Sequence, residues 1–224
     1  AYELSWLDPR GKPVVALAHF IVPATSPNLI ESKSLKLYLN SFNQTRLAGV
    51  DALVATLTRD LSAAAGAPVG VHVAPLSTRP QRPMGYPKGI LLDGLEIDVD
   101  RYTPAPALLT ADSARAPVTE TLYSHLLKSN CLVTGQPDWA MLVVRYTGAP
   151  IDREGLLRYI ISFRQHNEFH EQCVERVFVD ILRQCQPGAL SVFARYTRRG
   201  GLDINPYRRT PGMPVPAPFA EIRQ

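Results

Sequence analysis

The chain has 224 residues, 46% of them apolar and 20% charged, with a formal net charge of +4. This suffices to bury a core as one large domain or two small ones, and the longest apolar run, residues 14–22, is far too short to cross a bilayer. Three cysteines without a tight framework point to reduced thiols in the cytoplasm, and the modest charge admits an anionic ligand without calling for nucleic acid.

Strand-like runs at 2–7 and 14–20, joined by the turn-forming AspProArgGlyLys, predict a hairpin. Leu35, Tyr38, Leu39 and Phe42 then recur at helical spacing, with Asn28 and Glu31 placed as an N-cap and its third-position carboxylate. A second helix over 51–65 and a strand at 69–74 follow. Residues 75–118, headed by ProGlnArgProMetGlyTyrPro, read as a long irregular connection holding one strand at GlyIleLeuLeuAspGly. The order then repeats: ThrLeuTyrSerHisLeuLeu and CysLeuVal, a strand at 139–146, a helical stretch over 152–184 and a strand at 189–196. Leu35, Tyr38, Ser41, Phe42 and Gln44 match Leu156, Tyr159, Ser162, Phe163 and Gln165 at one constant offset, as a duplication would produce. The expectation is α+β, in two modules spanning 1–110 and 111–224.

Several residues carry chemistry. Cys131, between a strand-like run and a turn bearing Asp138, reads as a nucleophile with a proton donor, or else as a small buried filler beside a turn acid. On the helix from 170, Cys173, Val174, Val177, Phe178, Ile181 and Leu182 form an apolar stripe. His170 and Glu171 begin that stripe, so a carboxylate beside an imidazole needs a polar partner or ligand, unless this turn is only a solvated helix end. Glu31 could be a cap, and Lys33 and Lys36 a solvated helix face. Residues 195–206 read as a surface hairpin bulged at its glycines, or as a place where backbone and Arg199 approach a phosphate. No GlyxGlyxxGly follows a strand, so a dinucleotide would not be held in Rossmann fashion.

GluSerLysSerLeuLysLeuTyr at 31–38 resembles the defining motif of the NADPH-dependent 7-cyano-7-deazaguanine reductases, the nitrile reductases of queuosine biosynthesis. LeuTyrLeuAsnSerPheAsnGlnThrArg, SerAsnCysLeuValThrGlyGlnProAspTrp, PheArgGlnHisAsnGluPheHisGluGlnCysValGluArg and TyrThrArgArgGlyGlyLeuAspIleAsnProTyrArg resemble the two-module branch of that family. Members of that branch carry a further leading segment, so an additional N-terminal portion is expected. The resemblance implies tandem tunnelling-fold modules, each an antiparallel sheet backed by paired helices. It implies that Cys131 attacks the nitrile carbon to form a thioimide and that Asp138 protonates the nitrogen. Two NADPH would then reduce the adduct to the primary amine. It further implies that Glu171 with His170 holds the base, that Ile30, Glu31 and Ser32 close on it, and that Ser32, Lys33, Arg199 and Gly200 contact NADPH, in a homodimer. Two other readings stay open at this point. One is a zinc hydrolase resembling GTP cyclohydrolase I, although Thr134 stands where its CysxxHis motif has histidine, so Cys131, His170 and Cys173 would have to serve. The other is a non-catalytic binder of a purine- or pterin-like base.

Overall fold

The computed structural model describes residues 1–78 and 83–224, so the first three residues of ProGlnArgProMetGlyTyrPro lie outside the described residues. It divides the chain into two compact units, Ala1–Gln81 with Arg198–Asp203, and Arg82–Thr197 with Ile204–Gln224.

In the first unit, strands β1 (Leu4–Leu7), β2 (Pro13–Ile21) and β3 (Gly70–Pro75) form an antiparallel sheet in that order. The first turn closes because Asp8 Oδ1 accepts from the N–H groups of Arg10 and Lys12, both at 2.9 Å, and Gly11 adopts φ +86°. Leu4, Trp6, Ala16 and Ala18 face inward. They meet Leu39 of α1 (Ser32–Asn40) and the stripe Leu53, Leu57, Leu61 and Ala65 of α2 (Val50–Ala65).

The second unit orders its strands β4 (Ile90–Leu91), β5 (Val118–Asn130), β6 (Pro137–Gly148), β7 (Ala189–Tyr196) and β8 (Tyr207–Arg209). All neighbours are antiparallel except the short β4, which runs parallel to β5. Helices α3 (Arg153–Ile161) and α4 (His170–Cys185) supply Leu156, Tyr159, Ile160, Val174, Val177 and Ile181 to the core. Ser124 pairs with Leu142 but Leu127 with Ala140, so β5 carries one extra residue. This bulge lets Leu122 and Leu127, five apart, both face the helices. Asp93 holds it by accepting from Ser124 Oγ at 2.6 Å and from the His125 N–H.

The duplicated residues make the same contacts in each unit. Tyr38 donates to Asp60 at 2.7 Å and Tyr159 to Asp180 at 2.6 Å. Tyr38 meets Phe42, and Tyr159 meets Phe163, edge to face at 5.3 Å and 87°. Ser41 and Ser162 hydroxyls each donate back to the preceding tyrosine carbonyl at 2.6 Å.

Four local expectations change. The compact units divide earlier than residue 110, because Leu92 and Leu109 are buried in the second core. Glu31 is itself the N-cap of α1, while Asn28 donates to Ala64 O at the end of α2. CysLeuVal is the β5–β6 turn, not strand. The stretch 152–184 is broken: Asp152 caps α3, a 3-10 turn spans Ser162–Gln165, and 166–169 runs extended into α4.

Candidate active site

The β5–β6 turn presents Cys131. Its N–H donates to Gln136 O at 2.8 Å, its carbonyl accepts from Gly135 N–H at 2.9 Å, and Gly135 takes φ +67°, a conformation that suits glycine. Burial alone would raise the thiol pKa. Hydrogen bonds from the Thr134 hydroxyl and the N–H groups of Thr134 and Val133 outweigh it, together with the opposing charge of Asp138, and set the pKa below its ordinary value. The Gln136 N–H donates to Thr134 Oγ1 at 3.4 Å, which leaves the hydroxyl proton for sulfur. The other two thiols are free, but burial pushes Cys173 up to about 12 and Cys185 to about 11. Cys131 is therefore the thiolate-competent cysteine.

Alternation along β6 turns Asp138 inward, where it is 2% exposed, opposite Ser129. His170, the first residue of α4, brings Nε2 to 3.3 Å from Asp138 Oδ1, and Tyr196 meets its ring edge-on at 4.3 Å. Glu171 follows. Burial raises its carboxyl above the ordinary value, against a backbone hydrogen bond and the charges of His170 and Arg208. The second unit thus gathers Cys131, Asp138, His170 and Glu171, all named from sequence, around one end of its sheet. Among the described residues no group of three or more His, Cys, Asp or Glu is arranged to hold a metal ion.

The other candidates lie in the first unit. Ile30 packs against its core. The Glu31 carboxylate accepts from Lys33 N–H (2.9 Å), Ser34 N–H (2.7 Å) and Ser34 Oγ (2.9 Å). Its burial works against ionisation, but these bonds hold the carboxyl below its ordinary value. Ser32 and Lys33 open α1, Lys33 exposed. Lys36, one turn on, brings its ammonium against Gly200, where a Cβ would lie 2.9 Å from Nζ. Gly200 and Gly201 are both left-handed, at φ +56° and +77°, and Arg198 and Arg199 beside them are exposed. Lys36, Arg198 and Arg199 give this glycine turn a cationic rim of the kind that suits a phosphate-bearing cofactor, while the Glu3 carboxylate lies against Gly201, where a Cβ would meet its Oε2 at 2.7 Å.

Sequence reasoning missed the polar groups that brace this site: Asn130, His166, Glu168, Arg176 and Tyr196. Their only signal was the HisAsnGlu run ahead of Phe169, whose partners are distant in sequence. No helix among the described residues is long and apolar enough to cross a membrane.

The family model described as "Nitrile reductase, 7-cyano-7-deazaguanine-reductase N-term" matches residues 1–73, and that described as "QueF-like protein" matches 137–213. Proteins named NADPH-dependent 7-cyano-7-deazaguanine reductase from Aromatoleum aromaticum and Dechloromonas aromatica are 65% and 66% identical to the whole chain, which spans 79% of each. The one from Cupriavidus pinatubonensis is 61% identical, with 81% of its length spanned. Among solved structures, the apo archaeosine synthase QueF-Like aligns with 45% of the chain and 98% of its own, at 18% identity and a TM-score of 0.38, and carries no part of the assignment. On identities of this size over its full length, the chain belongs to the family of NADPH-dependent 7-cyano-7-deazaguanine reductases.

Proposed function

We propose that this chain, an NADPH-dependent oxidoreductase by family, reduces the nitrile of 7-cyano-7-deazaguanine to the primary amine 7-aminomethyl-7-deazaguanine through a cysteine thioimide. The observation that carries the reading is the grouping on one unit of the Cys131 thiol, whose pKa hydrogen bonds hold below its ordinary value, with the buried Asp138 3.3 Å from His170 and the half-buried Glu171. Glu171 accepts from the ring N–H and amino groups that a guanine-type base presents, with His170 beside it. Ile30, Glu31 and Ser32 close on the base. The Cys131 thiolate adds to the nitrile carbon while Asp138 delivers its proton to nitrogen, giving a neutral thioimide. A nitrile accepts hydride poorly, and this addition converts it to a more reactive C=N. NADPH, when bound, supplies hydride, two equivalents covering the four electrons from nitrile to amine. Ser32, Lys33, Arg199 and Gly200 would hold it, with the Lys36 ammonium beside Gly200 as a further cation for its phosphates. The sulfur is released as thiolate when the thioimide carbon has gained its first hydride, so Cys131 returns unchanged. A cytoplasmic homodimer acting on the free base completes the reading.

The test is turnover. The chain should oxidise about two NADPH per nitrile consumed, as the electron balance requires, and Cys131→Ala should oxidise none while still binding the base. An active alanine variant contradicts the mechanism.

A further inference from the structure

Residues 166–169, between the 3-10 turn and α4, run extended beside the end of β5. Asn130, the residue before the nucleophile, donates its N–H to His166 O at 2.8 Å and accepts from the Glu168 N–H at 3.1 Å. Its Nδ2 donates to Asn167 Oδ1 at 3.0 Å, and Lys128 Nζ donates both to Asn130 Oδ1 at 2.5 Å and to Arg164 O at 2.7 Å. The strap is fastened from its other side by Glu168, whose side chain is 12% exposed. Its carboxylate accepts from Arg176 Nη2 at 2.7 Å, Arg176 Nε at 3.0 Å and His166 Nε2 at 3.0 Å. Burial opposes the charge, yet these bonds keep the Glu168 carboxyl below its ordinary value. A two-pronged charge-assisted pair of this kind fixes orientation as well as adding energy.

None of these side chains has a part in the chemistry above, yet together they link two groups that do. Asn130 adjoins Cys131, and Glu168 lies two residues before His170 and three before Glu171. We infer that Glu168 and Asn130 are positioning residues for nitrile addition: the strap sets one fixed separation between the Cys131 sulfur and the base-holding carboxylate of Glu171. The inference rests on the proposed roles of Cys131 and Glu171. A base held by Glu171 puts its nitrile carbon within reach of sulfur only if that separation is right, and misplacement by about 1 Å costs up to about 100-fold in rate.

The experiment compares the parent chain with Glu168→Gln, Glu168→Asp and Asn130→Ala. It reads melting temperature, alkylation of Cys131 by iodoacetamide, and covalent adduct formation with 7-cyano-7-deazaguanine at saturation without NADPH. Alkylation needs only a reactive thiol, whereas adduct formation needs thiol and base in register. Glu168→Gln and Asn130→Ala should form adduct about tenfold more slowly than the parent with alkylation within about twofold, and Glu168→Asp should recover most of the rate. Adduct formation within about twofold of the parent in Glu168→Gln overturns the inference, and so does a parallel fall in alkylation and adduct formation. A parent chain that forms no adduct overturns instead the roles of Cys131 and Glu171, and the inference with them.

Discussion

Replacing Tyr159 with phenylalanine removes one hydroxyl and no packing volume, and Tyr38 offers the same change at the matched position of the other unit. Tyr159 is fully buried and donates to Asp180 at 2.6 Å. A net hydrogen bond to a charged acceptor is worth about 1.5–3 kcal/mol, and a buried hydroxyl has no water to replace it, so the expected cost is about 2 kcal/mol. Tyr38 is only half-buried, and its acceptor Asp60 has a 35% exposed side chain that also receives Arg59 at 2.8 Å. Water and Arg59 compensate there, and the expected cost is about 0.5–1 kcal/mol. The chain's two tryptophans make the comparison readable: Trp6 belongs to the first unit and Trp139 to the second. With Trp6→Phe as background, urea unfolding followed by Trp139 fluorescence reports Tyr159→Phe, and with Trp139→Phe as background Trp6 reports Tyr38→Phe. Equal costs, or a larger one at Tyr38, would refute the claim that burial rather than the shared motif sets the strength of the pair.

Glu171→Gln should stabilise the fold at neutral pH while abolishing base binding. Because burial raises the folded-state pKa of Glu171 above its unfolded value, the stability linked to it is full below the unfolded value and lost as pH rises through the folded one. Melting curves should therefore show the variant ahead at neutral pH and the difference closing below about pH 4. Thr134→Val should move the midpoint of Cys131 alkylation by iodoacetamide to higher pH, and Thr134→Ser should leave it in place, because the hydroxyl is one of the donors favouring the thiolate. Asp138→Asn removes the proposed proton donor, and NADPH oxidation should fall by about 100-fold or more.

The elements set by local pattern were legible in the sequence. Asp8 and Gly11 announce the first hairpin, and the stripe from Cys173 to Ile181 announces α4 with His170 and Glu171 at its start. Tyr38 and Tyr159 could be aligned before any contact was known, because the duplication kept the helix residues that hold each core together. What escaped was non-local. Nothing near Asn130 signals that His166 and Glu168 pair with it, and nothing near Ser124 signals that Asp93 stabilises a bulge there. Cys131 was read as strand, since Leu132 and Val133 extend the strand-like run that precedes it. Both lie exposed in a turn that Gly135 closes.

The most direct measurement mixes the protein with 7-cyano-7-deazaguanine without NADPH and follows absorbance and intact mass, then adds NADPH. The account predicts a mass increase equal to the whole substrate, located on Cys131 and absent in Cys131→Ala, that disappears as about two NADPH are oxidised per nitrile. Turnover without any adduct, or an adduct that persists in Cys131→Ala, would contradict it.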